Sequence, residues 1–193
     1  MTTFTRDDIL SGLRDLIAEL RASGEVAGIR LVGGAALAIR YFDRRATNDL
    51  DALHVHPGSD DVVLTAAARV GARRGWDDGW FNFAVERTGS LPSFGRRTVE
   101  WETIYDEDGI LIQVAAEDAL LAMKLRANRP GRDVDDIRHL LVLCGTTTLD
   151  DAEELYEDFY PGDTLTDRAV GIVERILATG LPVDVTPPGP IDL

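Results

Sequence analysis

Two short apolar runs joined through a glycine doublet constrain this chain most. Ile29-Arg-Leu-Val32 has the length of one buried strand, and Gly33-Gly34 breaks it. Ala35-Ala-Leu-Ala-Ile-Arg-Tyr41 follows directly and is rich in helix formers. Asp49-Leu-Asp-Ala-Leu-His-Val55 then reads as a second strand, ended by Pro57-Gly58. A strand that becomes a helix at two glycines and returns as a strand belongs in a sheet with helices packed on it.

The flanking segments extend this order. Thr5 and Asp8 have capping-box spacing, Ile9, Leu13, Leu16, Ile17 and Leu20 recur at helical intervals, and Gly24 ends the helix. Ser59 stands where it can cap a helix carrying Val62, Val63, Ala66, Ala67 and Val70, ended by Gly75. Residues 76–96 are turn-rich and favour no element. Thr98–Tyr105 and Ile110–Ala115 flank Asp106-Glu-Asp-Gly109, a hairpin pattern. Helical periodicity then covers 117–128, 133–143, 150–159 and 166–178. The fold class predicted is α/β (α+β): a small mixed sheet with helices packed on it and a helical C-terminal region. The expected parts are a core over residues 1–116, a helical region over 117–181 and an unstructured Pro-rich tail over 182–193, which includes Pro187-Pro188-Gly189-Pro190.

Composition narrows the class of protein. The 193 residues suit one ordinary domain, and no apolar run reaches the ~18 residues of a membrane span. An acidic, polar start and the single Cys144 argue for a cytoplasmic protein with neither signal peptide nor disulfide framework. The net charge of −14 is unevenly spread: residues 1–100 hold 13 Lys and Arg against 14 Asp and Glu, residues 101–193 hold 7 against 20. Such a chain is repelled by the backbone of duplex DNA, and a membrane partner is not expected. Arg40/Arg44/Arg45, Arg69/Arg73/Arg74 and Arg96/Arg97 are solvated faces or the makings of a small basic cleft.

The glycine doublet and Asp49-Leu50-Asp51 together carry the chemistry. Glycines at a helix start expose backbone N–H groups where the helix dipole favours an anion, which suits a phosphate. Asp49 and Asp51, two apart on a strand, project from one face and can hold Mg²⁺, which takes carboxylates together with substrate phosphates. A metal beside a phosphate cradle would position a nucleoside triphosphate for in-line attack on its α-phosphorus. The plainer alternatives are a structural turn and a solvated sheet edge.

Gly33-Gly34-Ala-Ala-Leu37, Tyr41-Phe-Asp-Arg44 and Arg45-Ala-Thr47-Asn-Asp49-Leu-Asp51 resemble the nucleotidyltransferase fold related to DNA polymerase β. Within it the chain most resembles the AbiEii-type family, which includes toxins of toxin–antitoxin systems. A second block, Glu117-Asp-Ala-Leu-Leu-Ala-Met-Lys124 followed by Arg132-Asp133-Val-Asp-Asp136, is similar to that family's lysine helix and the segment after it. Trp80-Phe-Asn82 is weakly similar to relatives. The resemblance implies that Gly33 and Gly34 contact nucleotide phosphates with Thr47 nearby, that Asp49 and Asp51 bind Mg²⁺, and that Lys124 neutralises triphosphate charge. Asp133 or Asp136 would complete the site. It further implies transfer of a nucleotidyl group to the 3′ end of tRNA and pairing with a cognate antitoxin protein. A protein or aminoglycoside-like acceptor would use the same donor site, and an inactive partner-binding domain is the non-enzymatic alternative. Polymerase-like members carry a third acid where Gln113 stands here, a departure shared with AbiEii-type proteins; Glu100 and Glu102 are the spare acids on the preceding strand.

Several residues have competing readings. Lys124 can run its stem along the apolar side of its helix with the ammonium at the rim. Asp133 and Asp136, three apart after Pro130-Gly131, fit an N-cap with an acid at N3 as well as a site, and Asp135 is expected to pair with Arg138 or His139. His54, His56 and His139 could ligate zinc, against which stands the absence of any supporting motif. Thr88-Gly-Ser90 lacks the frame of a nucleophile elbow, and Cys144 reads as inert core. Trp76, Trp80 and Trp101 can stack a base but fit turns and core better, and Asp150–Asp158 reads as a solvated helix face or a docking surface.

Overall fold

The computed structural model describes residues 2–44, 46–87, 92 and 96–193. Arg45 and the segment Thr88-Gly89-Ser90 lie outside them. The chain divides into two compact units: residues 1–88, 101–115 and 187–193 form the first, and 89–100 with 116–186 the second.

The first unit is built on a mixed five-stranded sheet. Its elements are α1 (Arg6–Ser23), β1 (Ala27–Leu31), α2 (Gly33–Arg40), β2 (Leu50–Val55), α3 (Asp60–Arg74), β3 (Phe81–Asn82), α4 (Ala84–Arg87), β4 (Trp101–Glu107) and β5 (Ile110–Ala115). Strand order is β3-β2-β1-β5-β4. The central β1 pairs antiparallel with β2 and parallel with β5, while β2–β3 is parallel and β4–β5 antiparallel. The predicted hairpin is present, and Asp108 (φ 53°) and Gly109 (φ 75°) at its tip have the left-handed backbone of a tight two-residue turn. The turn-rich stretch after residue 76 yields β3, which adds Asn82 beside Asp51.

Register assigns the two faces of the sheet. Ile29, Leu31, Ala52, Ile112 and Val114 lie on one face, and all are fully buried. Arg40 at the end of α2 pairs with Glu102, which shares that face through its register with Val114, so α2 covers it. The other face carries Asp51, Leu53, Arg30, Gln113, Thr103 and Trp101.

Sequence signals explain the helices on the sheet. Thr5 and Asp8 form the expected capping box, and Gly24 closes α1 in the left-handed conformation. Ser59 occupies the N-cap position of α3, but its side chain makes no capping bond. Where α1 and α3 pass the tryptophans, glycines make room: a Cβ at Gly12 would lie 2.9 Å from Trp76, and one at Gly71 would lie 2.9 Å from Trp80. Trp80 is buried and donates its indole N–H to the Ala67 carbonyl at 2.9 Å, so it is core.

The tail over 182–193 has no regular secondary structure, as expected, yet residues 187–193 are tied to the first unit. Arg6 donates to the carbonyls of Gly189 and Pro190, and Arg14 to that of Asp192.

The second unit contains α5 (Glu117–Ala127), α6 (Val134–Leu143), α7 (Leu149–Phe159) and α8 (Asp167–Thr179). Leu120, Leu121, Ile137, Leu140, Phe159, Val173 and Ile176 form its buried core. Thr148 and Asp151 cap α7 reciprocally, and Asp150, Glu153, Glu154 and Glu157 are exposed on its outer side, a solvated helix face. Among the described residues no helix is long and apolar enough to cross a membrane.

Candidate functional site

The predicted site residues fall into two groups, one in each unit. In the first unit β1 ends at Leu31 and α2 begins at Gly33, whose φ of 65° is left-handed and suits glycine. Val32 offers no side-chain cap and the first turn holds no acid, so neither satisfies the leading N–H groups of the helix. A Cβ at Gly33 would lie 3.0 Å from Asp51 Oδ2. One at Gly34 would lie 2.7 Å from Thr47 Oγ1 and 3.1 Å from an Arg44 guanidinium nitrogen. The doublet therefore lets a carboxylate, a hydroxyl and a cation approach the backbone more closely than a side chain there would allow.

Thr47 is buried and anchored on both sides. Its backbone exchanges hydrogen bonds with Phe4 at 2.7 and 2.9 Å, and its hydroxyl donates to the Asp49 carbonyl at 3.2 Å. Asp49 stands one residue ahead of β2 and Asp51 is the second residue of the strand; both are half-buried. An all-oxygen pair of acids, with Asp51 close to the Gly33 backbone, suits a hard cation such as Mg²⁺. Among the described residues no group of three or more His, Cys, Asp or Glu side chains is placed to hold a metal. A cation on Asp49 and Asp51 would take its other oxygens from substrate and water.

Gln113 stands on β5, on the Asp51 face, and is committed to neighbours. It accepts from Arg30 Nε at 2.9 Å and donates to Thr103 Oγ1 at 3.2 Å. The spare acids fail as replacements. Glu102 lies on the opposite face, paired with Arg40, and Glu100 precedes β4 and belongs to the second unit. Alternation along a strand is what separates Glu102 from Asp51.

In the second unit Lys124 is not at a rim. It is 4% exposed, and Nζ lies 2.8 Å from Asp133 Oδ1 and 2.8 Å from Asp136 Oδ2. Of the two readings of Asp133, the N-cap one holds in position only. It occupies the N-cap position of α6, but its side chain makes no capping bond. Its carboxylate accepts instead from Lys124 and from the backbone N–H and guanidinium of Arg129. Burial pushes the Asp133 carboxyl up, but Arg129 and Lys124 outweigh it and hold it down at about 2. Asp136 is buried beside Leu140 on the same side of α6. Two buried acids thus meet the buried Lys124 and the exposed Arg129, with the Lys124 ammonium already matched.

The remaining candidates sort by their contacts. Arg69 and Arg73 both bond Glu19, and Arg74 bonds Asp15 and Ser11, so this group is used in packing α3 against α1 rather than forming a free basic cleft. Arg97 pairs with Asp118, and Arg96 lies near Glu157 and Asp158. His54 Nδ1 is 3.3 Å from Asp60, and its ring meets that of His56 edge-on at 5.8 Å. His139 contacts the backbone carbonyl of Asp135 at 2.8 Å. Cys144 has its thiol pushed up to about 12 by burial and by Glu117 and Asp118, which makes it a poor nucleophile.

Two residues at the site escaped the sequence reading. Arg44 ends the Tyr41-Phe-Asp-Arg44 motif and stands in a basic run, but neither assigns it a role, and its approach to Gly34 depends on how the loop after α2 folds back. Arg30 did leave a signal, a lone cation inside Ile29-Arg-Leu-Val32. Comparison with protein-family models, with curated proteins and with solved structures finds no match for this chain.

Proposed function

We propose that this chain is a nucleotidyltransferase that moves a nucleotidyl group from a nucleoside triphosphate, with Mg²⁺, to an acceptor hydroxyl. The observation that carries the reading is the close approach of Asp51, Thr47 and Arg44 to the Gly33-Gly34 backbone at the uncapped start of α2. A triphosphate would meet the N–H groups of the α2 start, with Arg44 beside them. Asp49 and Asp51 would hold Mg²⁺, which supplies charge neutralisation on the phosphate oxygens.

In the reaction the acceptor oxygen bonds to the α-phosphorus, the bond from that phosphorus to the bridging oxygen of the β-phosphate breaks, and pyrophosphate leaves. Gln113 cannot take the hydroxyl proton, so the proton passes to Asp49, Asp51 or water. The resemblance to AbiEii-type proteins points to the 3′ end of tRNA as acceptor, in the cytoplasm, with an antitoxin protein as regulator. The ion-paired arginines favour an acceptor that needs few backbone contacts, so protein and small-molecule hydroxyls belong to the same proposal.

A second reading, a partner-binding domain without catalysis, is favoured by Lys124, whose ammonium is matched by two acids instead of being held open for a triphosphate. One assay separates the two. The chain and its Asp49→Ala/Asp51→Ala variant are incubated with Mg²⁺, each labelled nucleoside triphosphate and an extract containing tRNA, and RNA and protein are resolved on denaturing gels. Label on RNA with wild type alone supports the tRNA acceptor, and label on protein supports adenylylation. Triphosphate binding without label points to a small acceptor. Neither binding nor label overturns the transferase.

A further inference from the structure

We propose that Arg30 is a phosphate-binding residue on the sheet face that carries Asp51, held beside that acid to take a phosphoryl group of a reactant. The inference deepens the transferase reading and rests on it for the identity of the reactants. The binding of phosphate at Arg30 does not depend on that reading.

Register sets the location. Arg30 pairs with Leu53 on β2, and Asp51 is two residues before Leu53, so Arg30 and Asp51 are diagonal neighbours on one face. Such neighbours lie about 7–8 Å apart. A phosphate on a cation at Asp51 and an oxyanion at Arg30 therefore fall within the reach of one diphosphate or of two adjoining reactants.

The groups that hold the Arg30 guanidinium are neutral. Its Nε donates to Gln113 Oε1 at 2.9 Å, and Gln113 in turn donates to Thr103. The guanidinium carbon stands 4.6 Å from the centre of the Trp101 ring, in cation–π contact. An amide and an aromatic face thus fix the guanidinium without cancelling its charge. Among the described residues no carboxylate lies within ion-pairing distance of Arg30. By contrast Arg21, Arg40, Arg69, Arg73, Arg74, Arg97, Arg126 and Arg129 are all paired with acids in this acidic chain. Burial draws the pKa of Arg30 down from its ordinary value, yet a guanidinium stays charged at neutral pH. Arg30 is half-buried, and its terminal nitrogens keep the planar fork that grips phosphate in two bonds. Desolvation strengthens that grip, because solvent screens a half-buried charge less.

The test is calorimetric titration of the full chain with three probes in Mg²⁺ at low salt: inorganic pyrophosphate, a non-hydrolysable nucleoside triphosphate and a short RNA ending in CCA. Arg30→Gln should weaken pyrophosphate binding tenfold or more, while Arg69→Gln should leave it unchanged. A parallel loss on the triphosphate assigns the phosphoryl group to the donor, and a loss on the RNA assigns it to the acceptor. Gln113→Glu provides a second route should Arg30→Gln not fold: a carboxylate there neutralises Arg30 and should weaken pyrophosphate to a similar degree. Wild-type affinity in a folded Arg30→Gln or Gln113→Glu, or no pyrophosphate binding by the wild type, overturns the proposal. Arg30-dependent pyrophosphate binding in a chain that transfers no nucleotide keeps this site and removes the transferase reading.

Discussion

Lys124 and Asp133 form a buried ion pair, Nζ to Oδ1 2.8 Å, in which neither side chain is more than 5% exposed. The same ammonium reaches Asp136 at 2.8 Å. Removing the cation takes the shared ammonium from two buried acids and leaves Arg129 on Asp133, and breaking a buried pair from one side costs about 3–5 kcal/mol. Lys124→Met is expected to lower the urea midpoint accordingly. Lys124→Met with Asp136→Asn should recover part of the loss, and full stability in the single variant would show the cluster to be dispensable.

The same cluster predicts acid sensitivity. Asp133 has its carboxyl held down at about 2, against an ordinary value of 3.8. A depressed acid contributes stability above its unfolded pKa and loses it as pH falls through the folded one, here between about pH 4 and pH 2, worth about 2 kcal/mol. Denaturant titrations across that range should show the wild type losing stability more steeply than Asp133→Asn.

Gly34 is open to a steric test. An added Cβ would meet Thr47 Oγ1 at 2.7 Å and the Arg44 guanidinium at 3.1 Å, so both must shift. Gly34→Ala is expected to cost about 1–3 kcal/mol of stability. It should reduce affinity for a Mg²⁺-triphosphate at least tenfold in the fraction that folds, measured by calorimetry. Unchanged affinity would remove the doublet from the proposed site.

Charge reversal at Arg74 would act on stability. Arg74 bonds Asp15 Oδ2 at 2.7 Å and Ser11 Oγ at 2.9 Å, and stacks on Trp76 at 4.7 Å. Arg74→Glu sets an acid against Asp15 and should cost about 1–3 kcal/mol, seen as a lower melting temperature. A loss of RNA modification in that variant is informative only if the melting temperature is unchanged.

Cys144 is expected to resist thiol reagents in the native state. With the thiol pushed up to about 12, the thiolate is scarce at pH 8. Labelling with an uncharged maleimide should become fast only in denaturant, and rapid native labelling would contradict the burial of this residue.

The periodic parts of this fold were readable one segment at a time. The capping box at Thr5 and Asp8, the Asp108-Gly109 turn and the spacing of Leu120, Leu121, Ile137 and Leu140 are local signals, since each depends on neighbours within a turn or a hairpin. The short β3 escaped because two residues carry no periodicity, and its strand is defined by pairing with β2. The acid pair at Asp49 and Asp51 and the glycine doublet were visible for the same local reason.

The amino-acid sequence determined the element order, the strand–glycine–helix junction, the acidic bias of the second half and the residue types available for chemistry. Only the tertiary structure decided how charges are spent. It turned Lys124 from a rim cation into part of a cluster with two buried acids, gave Arg69, Arg73 and Arg74 to acids on α1, put Glu102 on the wrong face, and set the Arg30 guanidinium against an amide and an aromatic ring. The physical reason is range. Periodicity and capping act over a few residues, whereas a charge is neutralised, desolvated or kept open by groups that the chain brings together from far apart.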